Sequence, residues 1–330
     1  MYNNSTDRII HISNSTKSTK YKILTFPTHE RYESQLCKTG HEFYAFNHSN
    51  LKKWNEKQTE VPSNYHILPE DQLCQYLNYD FILVQSKFGQ FQLAQRLNQI
   101  LNIPIICLEH TIPTPQTMNT ETINEMKQMQ GHINVFISNF SMKQWNIPGV
   151  VIHHGIDTST FSNTNQQKED YVLTVANDFV NRDYCLNYSG WKRVTKELHT
   201  KLVGDTKGLS QAADSVEDLV DQYNKCLLYF NSTTLSPIPM SLLEAMSCEC
   251  AVVSTATCMI PEIIENGKNG FISNDEEELR VYINNLMKNP DLRSEIGVNA
   301  RQTIQNKFSE TVFIDNWNNL FNQTYEASII

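Results

Sequence analysis

Short apolar runs alternate along the chain with longer segments whose apolar residues recur every three or four positions. Residues 22–26 (KILTF), 80–85 (DFILVQ), 103–108 (IPIICL) and 132–138 (HINVFIS) are short and continuously apolar, as strands covered on both faces should be. Phe88, Phe91, Ala94, Leu97 and Leu101 repeat at helical spacing, and further helices are expected after residue 33 and near 141–145. The polar stretch 162–169 reads as a linker. The alternation then resumes, with strands expected at 171–176, 202–204, 227–230, 251–254 and 270–272. Residues 276–289 predict a helix stopped by Pro290. Ser309 is placed to cap a last helix carrying Val312, Phe313, Trp317, Leu320 and Phe321. Strands alternating with helices predict the α/β class, with parallel sheets and right-handed crossovers. No internal repeat is visible.

A chain of 330 residues suits two domains rather than one, and 40% hydrophobic residues supports a core in each. The boundaries expected are a partly ordered leader at 1–20, rich in Ser, Thr and Asn, a first domain at 21–162, a second at 163–310 and a terminal helix at 311–330. A net charge of −9 argues against a broad basic face for nucleic acid or anionic lipid. The eight cysteines show neither a paired framework nor zinc-type spacing, and the C-x-C at Cys248 and Cys250 is a poor metal motif. Scattered thiols favour a reducing compartment. With no signal peptide and no 18-residue apolar run, the expectation is a cytoplasmic protein without a membrane span.

Residues 236–272, SPIPMSLLEAMSCECAVVSTATCMIPEIIENGKNGFI, are the most informative stretch. They read as helix, buried strand, loop, short helix, turn and strand. Pro237 and Pro239 suit a loop or a first helical turn, where a missing N–H costs little. Leu242, Leu243, Met246 and Cys250 form a broad apolar face, and Glu244 is the one acid embedded in it. A buried carboxylate needs a partner, and a ligand hydroxyl is a good one. The backbone N–H groups of Ile238, Met240 and Ser241, at the positive end of the helix dipole, suit a phosphate; Pro239 has no N–H to give.

The same stretch resembles the retaining glycosyltransferases of the GT-B fold, and among them the large family 4, whose usual pattern is E-G-F-P-L-x-L-L-E-A-M-A-C-G-x-P-V-V-x-T-x-x-G-G-x-P-E-I-I-x-x-G-x-x-G-F. Pro239, Leu243 to Met246, Cys248, Val252, Val253, Thr255, Pro261 to Ile264, Gly267, Gly270 and Phe271 match in register. The segment GHEFY at 40–44 resembles the family's second strand. Residues 150–161 (VVIHHGIDTSTF) resemble its strand and loop before the hinge, with Gly155, Asp157 and Phe161 matching and His154 in place of the usual Asn. The resemblance implies two Rossmann-like domains facing each other across a cleft, with the C-terminal helix crossing back to the first. It implies an acceptor site in the first domain and a nucleotide-sugar site in the second.

Carried onto this chain, the resemblance gives Glu244 the donor ribose hydroxyls and Ser236 the place of the acid beside the donor sugar. It puts His110, at a strand's carboxyl end, toward that sugar, with Glu109 available to orient it or to meet an acceptor. Gly155 allows a close backbone approach. The family's Gly-Arg and Lys for the diphosphate are absent after the strand at 171–176, and Arg182, Lys192 and Arg193 are the nearest cations. Glu262 either caps a helix or contacts the donor side. Cys258 and Met259 replace Gly-Gly and are expected to narrow the space beside the donor. The first loop, Thr28 to Arg31, lacks the family's glycines. His153 and His154 are adjacent on a strand and point to opposite faces, so joint chelation is disfavoured.

The resemblance implies retaining, metal-independent transfer from a nucleotide sugar, with no other cofactor. The acceptor stays open among glycan, lipid-linked, protein and nucleic-acid-base classes, and the oligomeric state is unread. Ser236 and the lost Gly-Gly also admit a relative that binds a nucleotide sugar without transferring it. Transfer to a modified nucleic-acid base is weighed against by the acidic balance.

Overall fold

A computed structural model of the chain describes residues 20–56, 59–74, 76–114 and 118–329. The expected leader at 1–20 lies outside the described residues apart from Lys20. The chain divides into two compact units. One holds the described residues up to Ile137, Ser141–His154 and Phe313 onward; the other holds Ser138–Phe140 and Gly155–Val312. The second unit's main segment thus begins at residue 155, ahead of the boundary expected at 163. Ile156 and Phe161 are buried in its core, which draws the preceding loop into it.

The strands of the first unit are β1 (Lys22–Thr25), β2 (Glu42–Ala45), β3 (Tyr65–Ile67), β4 (Phe81–Val84), β5 (Ile105–Glu109), β6 (Ile133–Phe136) and β7 (Val150–Val151). They pair in parallel in the order β3-β2-β1-β4-β5-β6-β7. The chain runs outward from β1 to β3 and returns to β4 on the other side of β1. The carboxyl ends of β1 and β4 therefore flank a switch point, where open parallel sheets bind ligands. The helices are α1 (Glu30–Cys37), α2 (Gln92–Leu101), α3 (Thr120–Gln128) and α4 (Asn139–Trp145), with α12 (Glu310–Ile329) at the C-terminus. Trp317 of α12 is fully buried, and its indole N–H donates to the Tyr32 hydroxyl at 3.1 Å. Phe321 stacks on Phe81 of β4, with ring centroids 5.6 Å apart.

The second unit contains β8 (Val172–Val175), β9 (Thr200–Val203), β10 (Leu228–Asn231), β11 (Val252–Ser254) and β12 (Phe271–Ile272). Their order is β12-β11-β10-β8-β9, again parallel, and the switch point lies between β8 and β10. The helices are α5 (Asp183–Leu186), α6 (Tyr188–Val194), α7 (Val216–Lys225), α8 (Met240–Ser247), α9 (Ile260–Ile263), α10 (Glu276–Lys288) and α11 (Pro290–Lys307). Tyr223, Leu242, Leu243, Met246 and Ile304 build the core on one face of the sheet, from α7, α8 and α11. Trp191, Val194, Leu279 and Ile283, from α6 and α10, build the other. Pro290 both stops α10 and opens α11, where its missing N–H is harmless.

Gly204 follows β9 at φ +129°, and a Cβ there would stand 2.1 Å from the Ala176 carbonyl oxygen. The loops after β8 and β9 are therefore held in contact through a position that only glycine fills. Gly208, at φ +75°, has open space around a Cβ. Gly204→Ala should cost more than the ~1–2 kcal/mol of left-handed strain that Gly208→Ala costs, because it must also push the two loops apart. Denaturant melts of both variants check this, and equal costs would refute the contact.

Candidate functional site

In the second unit the matched stretch gathers at the switch point. The Tyr229 hydroxyl of β10 donates to Ser241 Oγ at 2.8 Å, and Ser241 Oγ donates to the Val175 carbonyl oxygen at 3.3 Å. These bonds fix the first turn of α8 against the ends of β8 and β10. Pro239 stands at its N-cap without a side-chain cap, and Ile238 and Met240 pack partly buried against the core. The helix start is thus held in place by Ser241 while Pro239 supplies no N–H of its own. Ser241's hydroxyl is used within the chain, so any ligand role falls to its main chain.

Glu244, one turn further on, is 8% exposed. Its Oε2 accepts from the Tyr223 hydroxyl of α7 at 3.0 Å. Tyr223 is fully buried, and burial together with the neighbouring Glu244 charge pushes its pKa well above the ordinary value, so it remains a donor. The sequence reading found the acid and missed this partner. A carboxylate has room for about four hydrogen bonds, and the one from Tyr223 helps to orient Glu244.

Ser236 is half-buried in the loop before α8. The N–H groups of Thr234 and Leu235 both donate to the Cys185 carbonyl of α5, at 2.9 and 3.0 Å. Arg182 is exposed at the N-cap of α5, three residues before the Cys185 that holds this loop. Lys192 is exposed on α6, with its ammonium 4.6 Å from the ring centre of Tyr188 on the same helix. Arg193 is held by Glu276 through Nε and Nη2 at 2.9 and 2.7 Å. Gly155 is buried at the first position of the second unit's main segment.

The pair replacing Gly-Gly behaves differently from expectation. Met259 is fully buried among the core side chains, so it takes no space beside the loop. Cys258 has φ +50°, the left-handed conformation that favours glycine, and its half-buried thiol lies 3.7 Å from the Thr234 carbonyl oxygen. Only Cys258 therefore adds bulk there. The Glu262 carboxylate accepts from the Asn139 N–H and Nδ2 at 3.1 and 3.2 Å and from the Phe140 N–H, so it caps the start of α4. On the other sheet face, a cavity of about 220 Å³ is lined by Ser232, Thr234, Thr255 and Thr257 with Asn187 and Glu276.

In the first unit, His110 follows β5 and is half-buried. Its Nε2 is 3.1 Å from Gln85 Oε1, at the end of β4. Gln85 Nε2 donates to Glu33 Oε1 at 2.9 Å. Glu33 is 2% exposed on α1. Its Oε1 also accepts from the Tyr65 hydroxyl at 3.0 Å, and its Oε2 accepts the N–H groups of Thr28 and His29 at 2.9 and 3.2 Å. A carboxylate thus holds the loop that lacks the family's glycines. Sequence reasoning missed both Glu33 and Gln85.

Glu109 does not orient His110. Neighbours on a strand face opposite ways, and the Glu109 carboxylate accepts from the Thr111 N–H and hydroxyl, with Lys87 3.8 Å away. His29, Tyr32 and His154 stand T-shaped around the His110 ring, at ring-centre distances of 4.6, 4.7 and 5.8 Å. Burial, with His154 and His29 nearby, holds His110 well below the ordinary histidine range, so it is neutral. Among the described residues no group of three His, Cys, Asp or Glu converges as a metal site.

Two Rossmann-like units built on parallel sheets define the GT-B class. Residues 161–303 match the family model described as Glycosyl transferases group 1, so the resemblance carried by the motif is borne out. Over 98 residues the chain is 33% identical to the alpha-maltose-1-phosphate synthase of Mycolicibacterium smegmatis, covering 27% of this chain and 24% of that protein. Over 115 residues it is 27% identical to the capsular polysaccharide biosynthesis glycosyltransferase CapM of Staphylococcus aureus, covering 34% and 30%. The chain therefore spans less than a third of the length of these curated relatives. Anabaena HepE in complex with UDP shares the fold at TM-score 0.74 and 14% identity, over 92% of this chain and 100% of that one. Sucrose-phosphate synthase from Thermosynechococcus elongatus does so at 0.74 and 13%, over 93% and 100%. No helix among the described residues is long and apolar enough to cross a membrane.

Burial pushes the Glu33 carboxyl from 4.5 up to about 7, and its hydrogen bonds offset this only in part. The folded chain therefore holds a proton that the unfolded chain releases over that window. Stability from this group is complete below the window and is lost as pH rises through it. At about 1.4 kcal/mol per unit, the loss is about 3 kcal/mol. His41 and His154, pushed down by burial to about 4 and about 3, change stability in the opposite sense. The wild-type stability minus that of Glu33→Gln isolates the carboxyl. That difference should fall between pH 4.5 and 8 in denaturant melts, and a flat difference would show that Glu33 ionises normally.

Proposed function

We propose that the chain transfers a glycosyl group from a nucleoside-diphosphate sugar, with retention of the anomeric configuration and without a bound metal. The observation that carries the reading is Glu244. It is a nearly buried carboxylate that accepts from the Tyr223 hydroxyl, inside the stretch that matches the group 1 family, at the carboxyl end of a parallel sheet. That chemistry suits a diol such as a ribose, whose hydroxyls are good donors to a carboxylate. HepE, which shares the fold, has been crystallised with UDP and with UDP-glucose, which supports a uridine nucleotide as the first donor to test.

In this reading the N–H groups of Ile238, Met240 and Ser241, with Arg182, meet the diphosphate. Their charge and dipoles stabilise it as the leaving group once its bond to the anomeric carbon breaks. Ser236 and His110 face the sugar. Lys192 is the weakest member, since its ammonium rests on Tyr188. The acceptor belongs to the glycan, lipid-linked, protein or base classes, and the protein works in the cytoplasm. A non-catalytic binder is the second reading, favoured by the hydroxyl of Ser236 where the family has an acid.

Glu244→Gln should weaken donor binding by roughly 1.5–3 kcal/mol, the worth of a charge-assisted hydrogen bond, while the fold survives. Calorimetric titration with UDP-sugars measures it, and unchanged affinity in a folded variant would remove Glu244 from the site. Transfer should also persist in excess EDTA, because cations and N–H groups of the chain take the metal's place at the diphosphate. Turnover abolished by EDTA and restored by Mg²⁺ or Mn²⁺ would overturn metal independence.

A further inference from the structure

We propose that Glu33 and Gln85 are positioning residues that fix His110 as the tautomer with its proton on Nε2, so that His110 meets a ligand hydroxyl only as an acceptor, through Nδ1. That the ligand is a sugar rests on the proposed glycosyl transfer; the tautomer does not.

An amide side chain is ordinarily ambiguous about which end is oxygen, and a neutral imidazole about which nitrogen holds the proton. An ionised carboxylate has no such freedom, because it only accepts. Glu33 Oε1 lies 2.9 Å from one end of the Gln85 amide, so that end is the NH₂. The other end is therefore oxygen, and it lies 3.1 Å from His110 Nε2. An amide oxygen only accepts, so Nε2 must carry hydrogen. Nδ1 is left with the lone pair.

Each member of the relay is itself held. Glu33 takes the N–H groups of Thr28 and His29 and the Tyr65 hydroxyl. The N–H groups of Gln85 and Ser86 donate to Gln90 Oε1, and Gln90 Nε2 donates to Thr28 Oγ1 at 2.7 Å. His29 and Tyr32 stand edge-on to the His110 ring, which hinders its rotation. The titratable groups facing Glu33 are Tyr65 from β3 and Cys37 from its own helix. Those facing His110 are His29 from the loop after β1, Tyr32 from α1 and His154. Burial keeps Tyr65 and Cys37 protonated and His110 and His154 neutral, so Glu33 is the group whose charge decides the direction of the relay. With its carboxyl pushed up to about 7, the relay is complete near pH 8.5.

The test is a long-range ¹H–¹⁵N correlation spectrum of the ¹⁵N-histidine-labelled full chain at pH 8.5. His110 is assigned by its loss in His110→Asn. The wild type should show a protonated-type Nε2 and a lone-pair-type Nδ1. Glu33→Gln frees the Gln85 amide to flip, and the Nδ1–H form should then appear in comparable amount. Gln85→Leu, which leaves the bonds from Thr28 and His29 to Glu33 in place, should do the same and serves if Glu33→Gln does not fold. In glycosyl transfer both variants should lose about twofold in kcat, the share of molecules that leave the Nε2–H form, with donor KM unchanged. An Nδ1–H tautomer in the wild type, or an unchanged Nε2–H form in folded Gln85→Leu, would overturn the proposal. A wild type that has the Nε2–H form but transfers no sugar would support the tautomer and count against the proposed reaction.

Discussion

A carboxylate taken out of water must be met by donors, and each unit places one next to the switch point of its sheet. Glu244 in the second unit and Glu33 in the first are both nearly buried. A tyrosine hydroxyl meets Glu244, and a tyrosine hydroxyl, an amide and two backbone N–H groups meet Glu33. Neutral donors orient a carboxylate without cancelling its charge, and the low local dielectric magnifies what that charge does to the next polar group. For Glu33 the cost of this arrangement is visible in its raised pKa.

The sheet topology explains why these groups lie where they do. In both units the chain leaves the first strand on one side and returns on the other, so two loops diverge at the carboxyl ends and leave a gap between them. The gap must be lined by something that keeps the loops apart yet fixed. In the second unit, Ser241 ties the start of α8 to Val175, and Gly204 lets the loops after β8 and β9 touch. In the first, the Glu33 carboxylate and the Gln90 amide do the same for the loop at Thr28.

Much of this frame was legible in the sequence. The continuously apolar runs became β1, β4, β5, β6, β8, β10 and β11, because a strand buried on both faces leaves no room for polar alternation. β3 was not read, since it has three residues and two of them face solvent. Glu244 stood out because an acid in an apolar helix is conspicuous. Glu33 did not, because an acid in the first turn of an amphipathic helix is ordinary, and only the approach of β3 and β4 buries it. Tyr223 was hidden for the same reason: its partner is 21 residues away, on another helix. Glu109 was the wrong choice as the neighbour that orients His110, because the alternation of a strand sends consecutive side chains to opposite faces.

The departures at Ser236, Cys258 and Thr28 to Arg31 share a physical logic. Where the family has a glycine, this chain has Cys258 in the left-handed conformation that favours glycine, at φ +50°. Where it has a flexible glycine loop, this chain has an ordinary loop held by a buried carboxylate. Where it has an acid beside the sugar, this chain has a hydroxyl. A hydroxyl donates as well as accepts, but it brings no charge to a carbon that becomes cationic as its bond to diphosphate stretches. In the proposed transfer, the work of stabilising that charge would shift to the diphosphate itself and to the groups that hold it. The second unit's helix start and Arg182 would therefore matter more in that transfer than in a relative that keeps the acid, and a neutral, accepting His110 would suit a sugar hydroxyl rather than the charge.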